Sequence, residues 1–574
     1  PNYLIFDNFQ LIGNNWPLPL LHALADRRRD GLHIILISQN FGRLRLAFEN
    51  TAGVTRLTSR DFLLRREDIG EYGRQLGLEL TAAQEETIYR NTEGWPAAVA
   101  LYIEHLRGNG GALPEFRDMD GLLQEFFWST FTREERELLL RVSVYDRIPE
   151  AYLSWIAPGQ EETLQHLLVR IPLMLYDRRE QASYSHELLR HFLLGRLRTM
   201  PREFVSGVYE TAGDLYRRAG HHKKAVECFF RAGNDEELLS CELTGLLGEN
   251  FDGCTYTELS RAVLSRCPRE VLARHPISML RLCVALFAGT DFAGFSSALE
   301  QCREIIAQTG SDRWMGEWHM AAALGAFPDI PAMKAQYIEA ERLLQGPSEL
   351  FSRRDPYMFG TTSMWYLFYR TPGKMMETAE ELRDMLEVYD RLTDHHGAGV
   401  YELYLGEALS VQGRFDESDI YAHRAALLSE RWQNASVTYG AALLLGINAI
   451  YQSDMISLQK AIEYLETKAL AYPFLQHTAL NAQMTETVRT YLLGLMMEPD
   501  RSAAWARGTA DMLDDLTFTN FMAKTNRITD LILHKEYKRA IASVEASLSL
   551  DQRLISLSTR DFMCVGLALC DLAI

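Results

Sequence analysis

Tyr209-Glu210-Thr211-Ala212-Gly213-Asp214-Leu215-Tyr216-Arg217-Arg218-Ala219-Gly220, continued by Ala225-Val226-Glu227-Cys228-Phe229-Phe230-Arg231-Ala232, decides how most of this chain folds. Large residues (Tyr209, Tyr216, Phe229) are spaced among small ones (Gly213, Gly220, Ala225, Ala232) at helical intervals on either side of a turn. Two helices that cross closely need small residues at the crossing and large ones between the pairs. The same register returns at Leu405, Gly406, Leu409, Gly413, Phe415, Ala422 and Ala425, with weaker echoes at Phe292 with Leu299 and at Tyr537 with Ala540.

This pattern is similar to repeats of the tetratricopeptide kind, whose period of about 34 residues leaves room for about ten or eleven helix pairs after Glu203. Residues 203–574 are therefore expected to form a long TPR-like α-solenoid, a sensor arm with a concave binding face and no catalytic centre. The alternative is an unrelated helical bundle, and the recurrence of Gly and Ala at crossing positions argues against it.

Upstream, residues 1–107 alternate strand-like runs with helical periods, as an α/β module does. Tyr3-Leu4-Ile5-Phe6 and His33-Ile34-Ile35-Leu36-Ile37 read as buried strands, and Val54-Thr55-Arg56-Leu57 as a weaker third. Gly108-Asn109-Gly110-Gly111-Ala112-Leu113-Pro114 is the strongest linker signal. Residues 115–202 then form a mostly helical unit, with Thr132-Arg133-Glu134-Glu135 as a helix-opening capping box. The fold class expected is thus mainly α: an α/β module, a mostly helical unit and the solenoid.

The chain has 574 residues, enough for about three or more domains. Its 59 Lys+Arg against 77 Asp+Glu leave a net charge of −18, a field that repels phosphate backbones. All 8 cysteines fall at or beyond Cys228 without CxxC spacing, the pattern of reduced thiols, so a cytoplasmic location is expected. No apolar run reaches about 18 residues, so no membrane partner is expected. The chain opens at Pro1 and closes inside an apolar helical pattern at Ile574, which suggests trimming at both ends.

Tyr3-Leu4-Ile5-Phe6-Asp7-Asn8 has the form of a Walker B element, a buried strand that delivers a carboxylate to a nucleotide's magnesium. It is followed in order by Ser38-Gln39, Arg60-Asp61-Phe62-Leu63-Leu64 and Asn91-Thr92-Glu93-Gly94-Trp95-Pro96. Arg141-Val142-Ser143-Val144-Tyr145-Asp146 and Tyr184-Ser185-His186-Glu187-Leu188-Leu189-Arg190-His191-Phe192-Leu193 come next. This ordered set resembles the MalT-type regulators of the STAND group, signal-transduction ATPases that carry a C-terminal LuxR-type DNA-binding domain. The resemblance implies that residues 1–107 are a partial α/β P-loop-type nucleotide module and 115–202 a winged-helix-like unit, with ATP or ADP with Mg2+ as cofactor of the intact protein. It makes Asp7 the magnesium-holding acid, Gly94 and Pro96 the element beside the adenine, and His186 the winged-helix histidine that reads the phosphates.

Three departures weaken that implication. Asn8 stands where the family often has a second acid, and an amide cannot act as a general base. Gln39 replaces an arginine that would meet the γ-phosphate. No GxxxxGK followed by Ser or Thr occurs, so this chain alone is expected to bind nucleotide poorly, if at all, and not to hydrolyse it. A preceding segment with that loop and a following helix-turn-helix are expected in the natural protein.

The resemblance implies the core of an ATP/ADP-switched, effector-responsive transcriptional regulator. Its arm would sense a small molecule or protein, it would self-associate on activation, and it would reach DNA through the LuxR-type domain. The alternative is a TPR-like interaction scaffold with a decayed switch. No catalytic constellation is found: His221-His222 and His395-His396 read as loop histidines. The aromatic residues of 314–370 could stack on an effector, but fill the gaps between helix pairs on the simpler reading.

Overall fold

The computed structural model describes residues 2–6, 32–37, 57, 59–92, 94–109, 121, 123–171, 174–177, 180–185, 187–247, 249–251, 253–351, 355–469, 472, 479–497, 518–548 and 557–573. They form a mainly helical protein with small sheets and extensive helix packing. The chain divides into two units, Ala52–Cys241 and Pro1–Thr51 with Glu242–Ile574. Among the described residues no helix is long and apolar enough to cross a membrane.

The Ala52–Cys241 unit begins with helices α1 (Arg66–Gln75), α2 (Ala82–Thr92) and α3 (Pro96–Asn109). Helix α3 runs through Gly108 and Asn109, the first two residues of the predicted linker. Helix α4 (Arg133–Val142) starts at the predicted capping box: Glu135 N–H donates to Thr132 Oγ1 at 3.2 Å, and Thr132 N–H to Glu135 Oε2 at 2.8 Å. A three-stranded antiparallel sheet follows, built from β3 (Ile148–Pro149), β4 (Met174–Asp177) and β5 (Ala182–Ser185) in the order β3-β5-β4. Around it lie α5 (Glu161–Arg170) and α6 (Glu187–Leu197), with Leu138, Leu164, Leu189 and Leu193 buried. The unit ends in the predicted pair α7 (Arg202–Arg218) and α8 (His222–Ala232). A Cβ on Gly213 would come within 2.7 Å of the Phe229 ring, so glycine lets the two helices meet there.

In the other unit, β1 (Asn2–Phe6) and β2 (Leu32–Leu36) pair in parallel, from Asn2 with Leu32 to Phe6 with Leu36. Its helical arm comprises α9 (Tyr256–Arg266), α10 (Pro276–Ala288), α11 (Phe292–Thr309), α12 (Asp312–Ala326) and α13 (Ile330–Leu344). It continues with α14 (Met364–Phe368), α15 (Met375–Leu392), α16 (Val400–Val411), α17 (Phe415–Trp432), α18 (Ala435–Tyr451) and α19 (Met455–Ala469). The last helices are α20 (Ala479–Leu495), α21 (Phe518–Leu533), α22 (Tyr537–Leu548) and α23 (Leu557–Ala573).

Turns in the arm are set by local chemistry. Asp291, Ser311, Asp329 and Asn434 each cap the following helix with a side-chain oxygen, and Gly310 closes α11 in the left-handed conformation. Apart from α14, which α13 bypasses to pack on α15, consecutive helices pack against each other, and α10 also touches α12, as α16 touches α18, α18 touches α20, and α21 touches α23. That is the two-layer, neighbour-on-neighbour packing of an α-solenoid. Helices α10, α16 and α18 of the first layer are buried around most of their circumference. A solenoid helix normally leaves one face to solvent. Here another part of the chain covers it.

Candidate interaction site inside the repeat arm

The cover is the stretch between α13 and α15. Residues 357–360 touch α18, α20 and α21, and α14 touches α16 and α23. This segment therefore crosses the first layer and spans helices that lie far apart in sequence. Its residues from Asp355 to Trp365 are all buried.

Two carboxylates hold its ends. Glu317 on α12 accepts from Ser348 Oγ at 2.6 Å, Glu349 N–H at 2.7 Å and Leu350 N–H at 3.3 Å. Glu407 on α16 accepts from the Trp365 N–H at 2.8 Å, and from the Ser363 hydroxyl and the Met364 N–H. Each follows a glycine at a helix crossing: a Cβ on Gly316 would come within 2.7 Å of Leu344, and one on Gly406 within 2.8 Å of Leu444. Burial pushes the Glu407 carboxyl up to about 8, against the opposing pull of its hydrogen bonds to Ser363, Trp365 and Met364. Burial also raises Glu317, with the bonds from Glu349, Ser348 and Leu350 opposing.

Between the clamps the arm reads the segment's main chain. Ser436 Oγ donates to the Tyr357 carbonyl at 3.1 Å, and His396 Nε2 donates to the Asp355 carbonyl at 2.6 Å. With its Nε2 proton committed, His396 accepts the Tyr389 hydroxyl on Nδ1 at 2.7 Å, the bonding of a neutral imidazole. His396 thus lies in the turn between α15 and α16, as the sequence indicates, but is buried and held on both ring nitrogens. A Cβ on Gly440 would collide with the Thr362 carbonyl oxygen, so α18 can approach the segment only with glycine there. Farther along, Thr362 Oγ1 meets Met522 Sδ at 3.5 Å, and the Tyr366 and Tyr491 hydroxyls meet at 3.4 Å.

The segment's backbone is held in an unfavourable form. Met358 (φ 41) and Phe359 (φ 59) adopt left-handed conformations beside Gly360 (φ 87). Such residues cost roughly 1–2 kcal/mol each unless the surroundings impose them. The rings supply much of that packing: Phe359 lies 5.8 Å from Phe287, Tyr357 5.8 Å from Tyr389, and Phe368 6.0 Å from Phe327. Tyr337, Tyr357, Phe359, Trp365 and Phe368 are buried, so these aromatics are interior packing. A cavity of about 30 Å³ beside them, bordered by Tyr256, Arg281, Tyr337 and Tyr389, has room for about one water.

Of the residues predicted to hold nucleotide, Asp7 and His186 lie outside the described residues, as do Asn8, Ser38 and Gln39. Gly94 has φ +78, and a Cβ there would collide with the Leu64 carbonyl oxygen. The Leu64 N–H in turn donates to the Gly94 carbonyl at 2.7 Å. Pro96 is the first residue of α3, where its missing N–H costs nothing. The two therefore share one tight turn. Among the described residues no group of three or more His, Cys, Asp or Glu could hold a metal ion. The sequence reading missed Glu317 and Glu407; the available signal was a glutamate placed directly after a crossing glycine.

No family model matches the sequence, and no curated protein matches it. Five chains of solved structures do match. One is the crystal structure of a signal transduction ATPase with numerous domains (STAND) protein with a tetratricopeptide repeat sensor, from Pyrococcus horikoshii. It is 14% identical with a TM-score of 0.35, and the match covers 100% of this chain and 83% of that one.

Proposed function

We propose that this chain is a TPR-like interaction protein whose arm recognises a polypeptide segment on its first helical layer. The observation that carries this is the way Ser436 and His396 bind main-chain carbonyls of the segment that leads into α14, and Glu407 binds the Trp365 amide in the first turn of that helix. Side chains that read N–H and C=O groups are how a groove takes a peptide irrespective of most of its sequence. The test is a library of synthetic peptides screened against the full chain, with the binders located by hydrogen exchange. Protection arising on α16, α18, α20 and α21 supports the reading. Binders that protect other regions, or an absence of binders, would refute it.

A second reading is the nucleotide-switched, LuxR-type regulator to which the ordered motifs are similar. The parallel pairing of β1 with β2 supports it, because open parallel sheets take ligands at the carboxyl ends of their strands. On this reading Asp7 holds Mg2+, Gly94 and Pro96 lie by the adenine, and His186 reads the phosphates of ATP or ADP. Residues 1–107 are then the switch, 115–202 a winged-helix relay and 203–574 the effector-sensing arm of a cytoplasmic activator that self-associates and binds DNA through its C-terminal domain. Calorimetry with Mg-ADP on the complete natural chain decides: tight binding lost in His186→Ala supports the regulator, and no binding leaves the scaffold.

A further inference from the structure

We propose that the cavity bordered by β3, β4, β5 and α5 in the Ala52–Cys241 unit is a binding site for a small organic cation, an ammonium group carried on one ring-sized apolar body. This site shares no residue with the one in the repeat arm and stands independently of it.

The cavity has a volume of about 210 Å³. An apolar cavity of about 150 Å³ is enough to hold a benzene ring. Three of its lining residues, Ile148 on β3, Leu153 in the short helix Leu153–Ile156 and Leu168 on α5, are buried aliphatic side chains. Two others, Val169 and Tyr176, are 72% and 44% exposed, so the apolar interior is reached directly from solvent. An apolar group of ring size that enters gains the free energy of leaving water.

The charged part of the lining is one carboxylate. Glu150, the residue after β3, accepts on Oε1 from the Tyr176 hydroxyl on β4 at 2.6 Å and from Gln165 Nε2 on α5 at 3.2 Å. These bonds draw on three elements and fix the carboxylate at the cavity. Both donors are neutral, and among the described residues no cation pairs with Glu150. Other carboxylates of the same unit are matched: Glu135 by Arg170, Glu180 by Arg147, and Asp146 by Arg190 and Lys224. A fixed carboxylate without a cation, next to an aromatic ring and an apolar cavity, defines the ligand. Glu150 takes a positive charge, the Tyr176 ring adds cation–π attraction, and the interior takes an apolar body. An anionic ligand of the same shape is repelled.

The probe is phenethylammonium, with 2-phenylethanol as its neutral counterpart and 3-phenylpropionate as its anionic one, each titrated into the full chain and followed by calorimetry. The ammonium is expected to bind at least about tenfold more tightly than the alcohol, and the carboxylate more weakly still. Glu150→Gln keeps an acceptor for Tyr176 and Gln165 and should erase the difference between ammonium and alcohol. Val169→Trp, a change at an exposed position, should fill the opening and abolish binding. Equal affinity of the three probes for the parent overturns the cation assignment, and so does a preference for the ammonium that survives in Glu150→Gln. Binding that persists in Val169→Trp lies elsewhere and overturns the site, as does the absence of saturable binding to the parent. Should a variant fail to fold, nuclear Overhauser contacts on the parent decide. Contacts from the probe's ring to the methyl groups of Ile148, Leu153 and Leu168 support the site, and their absence overturns it.

Discussion

Glu317 and Glu407 stand on different helices of the arm and each takes main-chain amides of the same crossing stretch: Glu317 those of Glu349 and Leu350 in a loop, Glu407 that of Trp365 in the first turn of α14. A buried carboxylate is normally matched by a cation. Here the match is made by N–H and O–H donors at the ends of a crossing segment, and loss of either acid strands several of them in the interior.

Glu407→Ala leaves the amides of Met364 and Trp365 and the Ser363 hydroxyl without their acceptor, so the arm is expected to lose about 3 kcal/mol, and Glu407→Gln about 1 kcal/mol because its carbonyl still accepts. Urea unfolding followed by circular dichroism measures both. An alanine variant as stable as the parent would show that the clamp contributes nothing.

The same carboxyl sets a pH dependence. Its folded pKa of about 8 lies above its ordinary 4.5, so between those values the folded chain keeps a proton that the unfolded chain has lost. Stability should therefore fall as pH rises from about 5 to about 8, by at most about 1.4 kcal/mol per pH unit, and level off above. Glu407→Gln removes this contribution. Parallel melting curves of parent and Gln variant over that range should converge or cross as pH rises; a constant gap contradicts the assignment.

Two glycines of the arm separate close approach from backbone strain. Gly413 has φ +75 with nothing near its missing Cβ, and Gly440 meets the Thr362 carbonyl and Leu403. Gly413→Ala is expected to cost about 1 kcal/mol and leave the segment in place. Gly440→Ala should cost about 2 kcal/mol or more and expose the amides of Thr361–Trp365 to hydrogen exchange. Similar exchange in the two variants would mean that the segment does not need the space at Gly440.

Gly94→Ala combines a left-handed backbone with a collision against Leu64. It should destabilise the Ala52–Cys241 unit by roughly 3 kcal/mol with no nucleotide present. Thermal unfolding of the nucleotide-free chain measures it. A normal melt would take away the structural role of this glycine and leave nucleotide contact as its reason for being there.

The helical elements were legible because their information is local: Gly213 against Phe229, Gly406 at a crossing, and the capping box at Thr132 each depend on residues a few turns apart. The strands at 2–6 and 32–36 were legible as strands but not in their burial: Tyr3, Leu4, Ile5 and Ile35 are exposed where the sequence reads as buried. The site was not legible. Its aromatic residues read as filler between helices, which their burial bears out, but nothing local ties Glu407 to Trp365, 42 positions away, or Tyr366 to Tyr491. His396 is a turn residue as read, but its burial follows from Asp355 and Tyr389 on either side of its ring, which the sequence does not bring together. Asp7 and His186 fall outside the described residues, so the nucleotide motif rests on sequence order.

A stack of helix pairs ordinarily behaves as a one-dimensional chain of weakly coupled units, free to fray from either end. The contact between Thr362 and Met522 joins residues 160 positions apart, and that between Tyr366 and Tyr491 joins residues 125 apart. These ties cut across the stack as a cross-brace does. The arm should then melt in one concerted step, and fold slowly for a helical protein, because long loops must close before the brace can form.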